Sequence, residues 1–365
     1  MKIVQLVAYL TIQFLILLLM LEGGVRVASR FSNKLHILTY VSELAGDFTD
    51  ATSIEDLLAN SLIRRKKADG ENYNSRGFFT GEYSHTKSPD SIRIVGIGDS
   101  FTYAGDIERG NTWWAASEQE LQQQVNSKLE VFGLGVPGTG TSFQRRVWEF
   151  EKDLLQADLV VLAFYVGNDF RDESRTDLVS SGPEEWFLRN SYLIRIVRNS
   201  YRAPKDLWLK RLSRGESDDK ITSSPKMEDL SVGARQFRFF RGTEKKRRTI
   251  IARSVEVIDQ LRQDVEKTGS RFAVMIVPAA FQVYPELQHQ ISEQLSLPKE
   301  FPQNQLSIAL RDRGILQLDL LPAFQREGQN QRLYHHTDIH WNEAGHRLAG
   351  TELAKYLNDN QLVKK

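Results

Sequence analysis

Along this chain the pattern of hydrophobic and polar positions changes character three times. From Ile3 to Leu21, IVQLVAYLTIQFLILLLML, nineteen residues carry no charge. At helical rise they span ~28 Å, close to the hydrocarbon thickness of a bilayer. A transmembrane anchor over residues 1–22 is therefore expected. A cleaved signal peptide would have a shorter apolar region, and the cleavage-like site Val27-Ala28-Ser29 is weak. Residues 23–90 are mixed in polarity with little periodicity, and read as a membrane-proximal stalk. It ends in the turn-rich stretch GENYNSRGFFTGEYSHTKSPDS.

From residue 91 onward, strand and helix patterns alternate. Ser91–Ile97 reads as a strand, 113–128 as a helix, Leu129–Leu134 as a second strand and Ser142–Leu155 as a helix. Asp158–Tyr165, DLVVLAFY, is the near-continuous apolar run of a strand buried on both faces of a parallel sheet. RFAVMIVP (271–278) and GILQLDL (314–320) repeat the pattern, and Asn342–Leu357 reads as the last helix. Five strands with helices between them predict a doubly wound α/β domain over 91–365. A helical insertion of different composition interrupts it at about 171–250. Within this insertion, 189–214 carries eight Lys or Arg against one Asp, interleaved with Tyr, Leu, Ile and Trp. A solvated helix packed by its apolar side is the plain reading, and an interfacial helix on lipid headgroups is the alternative.

Composition narrows the function. The chain has 365 residues, 41% hydrophobic and 26% charged, with a formal net charge of +1. That balance argues against nucleic acid as a partner, which draws a basic excess. The absence of cysteine excludes disulfides, Fe–S clusters and thiolate zinc sites. Charge does not orient the anchor. Lys2 lies on one side and Arg26, Arg30 and Lys34 on the other, and long domains translocate despite such flanks.

The first strand leaves through Gly98-Asp99-Ser100. These are turn formers, but the carboxyl end of a parallel strand is also where open α/β sheets place their chemistry. A serine hydroxyl there needs a base to become a nucleophile. LYHHTDIHWNEAGH, just before the last helix, supplies His335, His336, His340 and His346, with Asp338 two residues from His340. A divalent metal on the same cluster is the competing reading, but the helical H-E-x-x-H spacing is missing. Oxyanion donors are available after the next two strands: Gly138 in GLGVPGTGTSFQ and Asn168 in YVGNDF. The G-x-G-x-x-G match at Gly133, Gly135 and Gly138 is a poor dinucleotide fingerprint, because it follows the second strand and the acid ~20 positions on, Asp158, starts a strand instead of ending one.

Gly98-Asp99-Ser100 with Phe101, Gly138 in VPGTG, Gly167-Asn168-Asp169, and Asp338 with His340 resemble, in order, the four blocks of the SGNH/GDSL hydrolase superfamily. The resemblance covers residues 91–170 and 271–357. It implies a flavodoxin-like three-layer α/β/α sandwich with a five-stranded parallel sheet. It also implies a catalytic Ser100, His340 and Asp338, with the Ser100 and Gly138 N–H groups and the Asn168 amide as oxyanion hole, and no metal or organic cofactor. Many members place the Asp three residues before the His, where this chain has Thr337. The D-x-H-W form, Asp338-Ile339-His340-Trp341, resembles membrane-associated and periplasmic members, including the alginate O-acetyltransferase branch. The expectation is a membrane-anchored, extracytoplasmic serine esterase acting on an ester-bearing small molecule, glycan or lipid. A polysaccharide O-acetyltransferase, or an inactive sugar-binding module on the same fold, are the alternatives. The Trp113-Trp114 pair suits core packing or a sugar site.

Overall fold

The computed structural model describes residues 2–31, 73–84, 86–170, 191–194, 196, 237–285, 297–298, 300–335 and 339–363. The chain divides into two compact units. One is formed by Met1–Asp50 with Leu178–Ser223, the other by Ala51–Asp177 with Ser224–Lys365.

In the first unit, helix α1 runs Lys2–Phe31, past the end of the uncharged run. Its stretch Tyr9–Ala28 is long and apolar enough to cross a membrane, with a mean hydropathy of 1.8. Leu10, Phe14, Leu19 and Met20 are exposed along it. At Glu22 the helix makes a polar contact within its own unit. The carboxylate accepts from Ser191 Oγ at 2.9 Å and from the Tyr192 and Leu193 N–H groups at 2.8 and 3.1 Å. Arg26 pairs with the same carboxylate at 2.8 Å and lies over the Tyr192 ring at 5.1 Å. The rest of the basic segment 189–214 lies outside the described residues, apart from Ile194 and Ile196.

In the second unit, five parallel strands stand in the order β2-β1-β3-β4-β5: β1 Ser91–Gly98, β2 Lys128–Gly135, β3 Leu159–Tyr165, β4 Arg271–Val277 and β5 Gln317–Asp319. This is the flavodoxin-like order, and it reverses beside β1, so the crevice expected for a ligand opens beyond the carboxyl end of that strand. Gly98 is in register with Gly135 on one side and Ala163 on the other, which brings the ends of the first three strands to one rim. β1 and β3 are buried along their whole length, as a central parallel strand must be.

The helices are α2 Ser100–Tyr103, α3 Trp113–Gln122, α4 Thr141–Leu155, α5 Glu244–Glu266, α6 Ala280–Val283, α7 Gln303–Asp312, α8 Leu321–Glu327 and α9 Glu343–Asp359. α3 packs with α9, while α5 packs with α4 and α7, which gives two helical layers about the sheet. Trp113 and Trp114 are core residues, 0% and 4% exposed, and so line no sugar site.

Several expectations change. Helix α3 stops at Gln122, not Lys128, because the Gln122 side chain receives the Leu129 N–H at 2.9 Å and turns the chain into β2. The fifth strand shrinks to three residues at the sheet edge. The span expected as insertion ends in a 3₁₀ turn, Phe237–Phe240, and then α5, which packs on β4. Residues 73–84, within the expected stalk, pack on the domain: Tyr73, Phe78 and Phe79 are buried, and the buried Glu151 of α4 holds Arg76 at 2.8 Å and Tyr83 Oη at 2.9 Å.

Candidate functional site

Ser100 begins α2 directly after β1. Asp99 caps that helix: fully buried, it accepts the Phe101 N–H on Oδ1 at 2.9 Å. The helix is one turn long and ends at Ala104, left-handed with φ 48°. Its backbone lies so close to the end of β2 that a Cβ on Gly135 would sit 1.9 Å from the Tyr103 nitrogen. Only glycine admits that approach, and the approach holds Ser100 at the rim. Phe101 anchors the turn from below, its ring 4.4 Å from Tyr165 and 5.0 Å from Trp341.

His340 comes from the far end of the chain. Trp341, fully buried, bridges to Tyr334 as an isolated β-pair and packs on Phe324 at 5.0 Å, while the His335 N–H donates to the His340 carbonyl at 3.0 Å. Asn342 then caps α9 by accepting the Gly345 N–H at 3.1 Å. His340 is thus fixed between a backbone bridge and a capped helix start. Its Nε2 lies 2.7 Å from Ser100 Oγ, and its ring 5.1 Å from that of Phe101. At that separation an imidazole can take the hydroxyl proton as the oxygen attacks a carbonyl.

The expected oxyanion donors stand on the turns of the strands flanking β1. Gly138 has φ +74°, with open space where a side chain would be. Asn168 is 6% exposed and donates its amide to Asp169 Oδ1 at 3.3 Å. Ser100 and His340 are in hydrogen-bond contact, and Gly138 and Asn168 share their rim. Asp338, with His336 and Thr337, lies outside the described residues. His346 belongs to the core: it is 1% exposed with Trp341 edge-on at 5.5 Å. Burial, helped by the nearby His340 and His335, pulls its imidazole down to about 3.

Sequence reasoning gave no site role to three carboxylates. Asp99 serves as the cap of the serine turn. Asp169, fully buried, holds Asn168 with one oxygen and takes the Tyr165 N–H on the other at 3.0 Å. Its adjacency to Asn168 in YVGNDF is the signal that would have found it. Asp106 faces His335, with 3.0 Å between Oδ2 and Nε2. Nothing local in the sequence pairs those two.

Residues 237–365 match the family model of the SGNH hydrolase-like domain of the acetyltransferase AlgX. A probable alginate O-acetylase AlgJ of Pseudomonas syringae pv. tomato is 31% identical over 102 residues, a match spanning 28% of this chain and 26% of that protein. The chain therefore matches about a quarter of the length of this curated relative. Among solved structures, the acetyl xylan esterase AlAXEase is 15% identical, with a TM-score of 0.38 over 74% of this chain and 99% of its own. The lipase/acylhydrolase from Enterococcus faecalis is also 15% identical, with a TM-score of 0.38 over 74% of this chain and 96% of its own. Residues 237–365 are thus similar to an SGNH hydrolase-like domain, and of the four sequence blocks Asp338 with His340 falls within that match.

Proposed function

We propose that this protein is a membrane-anchored O-acyltransferase that works through an acyl-enzyme on Ser100 and places acyl groups on hydroxyls of a cell-envelope carbohydrate. The observation that carries this reading is the 2.7 Å contact between His340 Nε2 and Ser100 Oγ. It is supported by the match to an acetyltransferase domain and by the similarity to an alginate O-acetylase.

Ser100 Oγ attacks the carbonyl carbon of the donor ester as its proton passes to His340 Nε2. The carbonyl oxygen becomes an oxyanion, received by the Ser100 and Gly138 N–H groups and the Asn168 amide. Preorganised donors of this kind contribute on the order of 3–4 kcal/mol each. Collapse expels the donor alkoxide, which takes the proton from His340 and leaves the acyl group on Ser100. The acceptor hydroxyl then gives its proton to His340 and attacks the acyl carbon, and Ser100 recovers its proton. When water takes the acceptor's place, the same steps amount to ester hydrolysis. Asp338 holds the imidazole and balances its positive charge. The apolar part of α1 anchors the chain, with the catalytic domain outside the cytoplasm.

The test is mass spectrometry of the purified full chain in detergent after reaction with p-nitrophenyl acetate. An acetyl group on Ser100, discharged faster by an added oligosaccharide than by water, is the expected result. Discharge by water alone would make the protein an esterase. No modification of Ser100, and no labelling by a fluorophosphonate, would leave a non-enzymatic domain.

A further inference from the structure

The two groups that make up the dyad come from turns far apart in the chain, 240 residues between Ser100 and His340, so their 2.7 Å contact depends on how those turns are held together. One link is apolar: the Phe101 ring against His340 and Trp341. A second is polar and lies outside the dyad. Asp106 stands in the turn that follows α2, closed by the Ile107 N–H on the Ala104 carbonyl at 3.1 Å. His335 is tied to the other turn by its N–H on the His340 carbonyl at 3.0 Å. Between them, Asp106 Oδ2 and His335 Nε2 are 3.0 Å apart, with the two side chains 47% and 34% exposed. The two atoms lie close without an aligned hydrogen bond, and their approach joins the turn behind the serine to the turn bearing the imidazole.

We propose that Asp106 and His335 are a positioning pair, which clamps these two turns together and so sets the reach of His340 Nε2 to Ser100 Oγ. The proposal rests on the reading of Ser100 and His340 as nucleophile and base. Neither member touches the reacting atoms. Geometry explains why such a pair matters: a displacement of about 1 Å in a reacting group costs up to ~10²-fold in rate. The pair therefore acts on kcat and leaves KM alone.

The experiment uses the full chain in detergent, with p-nitrophenyl acetate turnover, fluorophosphonate labelling of Ser100, and hydrogen exchange at residues 334–341. Asp106→Asn and His335→Gln should each lower kcat and the labelling rate about tenfold at unchanged KM. The double variant should fall no further than the worse single one, because both remove the same contact. His335→Lys, which puts a cation opposite Asp106, should recover most of the rate. Both neutral variants should also speed exchange of the His335 amide. Wild-type rates in Asp106→Asn, multiplicative losses in the double variant, or an effect confined to KM would each overturn the proposal. Hydrogen exchange separates the two readings. A wild type that fails to label removes the role of Ser100, while unchanged exchange in both variants removes the clamp whatever the chemistry.

Discussion

Asp169 reaches back to its neighbour: Oδ1 receives the Asn168 amide at 3.3 Å while Oδ2 receives the Tyr165 N–H at 3.0 Å. One buried carboxylate thus closes the turn after β3 and aims the side chain proposed to receive the oxyanion. Asp169→Ala removes the buried acceptor of the Tyr165 N–H, a cost of about 1–3 kcal/mol in stability. It should also lower kcat at unchanged KM, since the Asn168 amide loses its contact with Asp169 Oδ1. Thermal unfolding read beside steady-state kinetics checks both effects. An unchanged kcat would detach Asp169 from the site.

The triad acid is tested by comparing neighbours. Asp338→Asn removes the charge proposed to balance the imidazolium, a loss of up to about 10⁴ in turnover in such triads. Thr337→Val removes at most a neutral hydrogen bond of ~1 kcal/mol, about tenfold in rate. Asp338→Asn should therefore be slower in kcat by at least about a hundredfold. Equal rates, or a slower Thr337→Val, would reject the D-x-H assignment.

At the end of β5, burial pushes the Asp319 carboxyl up to about 6 from 3.8, only partly offset by the Leu321 N–H. A folded value above the unfolded one means that this group's favourable contribution is full below about 3.8 and lost as pH rises through about 6. Asp319→Asn keeps an oxygen for the Leu321 N–H and cannot ionise. It should stabilise the domain at pH 7 by up to about 3 kcal/mol and make no difference near pH 3.5. Melting temperatures at the two pH values decide it.

His346 has the opposite sign. Its imidazole titrates near 3 in the fold and near 6.5 when unfolded, so as pH falls from about 6.5 towards 3 the unfolded chain takes up a proton that the fold refuses. His346→Leu should lose less stability than the parent chain between pH 7 and pH 4, measured as the slope of melting temperature against pH. Parallel slopes would mean that the buried ring is not the titrating group.

In the other unit, Glu22→Ala removes the acceptor for Ser191 Oγ and for the Tyr192 and Leu193 N–H groups. The loss should be about 1–2 kcal/mol, the scale of a capping side chain. Hydrogen exchange at Tyr192 and Leu193 should quicken, with turnover of a soluble ester unaltered. Unchanged exchange would show that the contact contributes nothing.

Much of the domain is legible in local pattern. Apolar runs such as DLVVLAFY declare buried parallel strands because both faces of such a sheet are covered, and Gly98-Asp99-Ser100 marks the turn because those residues suit nothing else at a strand end. Gly138 and Asn168 are legible for the same reason, since each follows directly from its strand. What the sequence hides is partnership over distance. The end of α3 is decided by a glutamine reaching the next strand, and the short β5 by its place at the sheet edge. His346 reads as one more histidine of the cluster until packing against Trp341 puts it in the core. The approach of His340 to Ser100, and of His335 to Asp106, depends on a local bridge between Tyr334 and Trp341 that shapes the turn carrying both histidines, and on the packing of Trp341 against Phe101 from the far end of the chain. Local chemistry selects the residues of the site, but which of them touch is decided by long-range packing, because a side chain's partner is set by the fold around it and not by its neighbours in sequence.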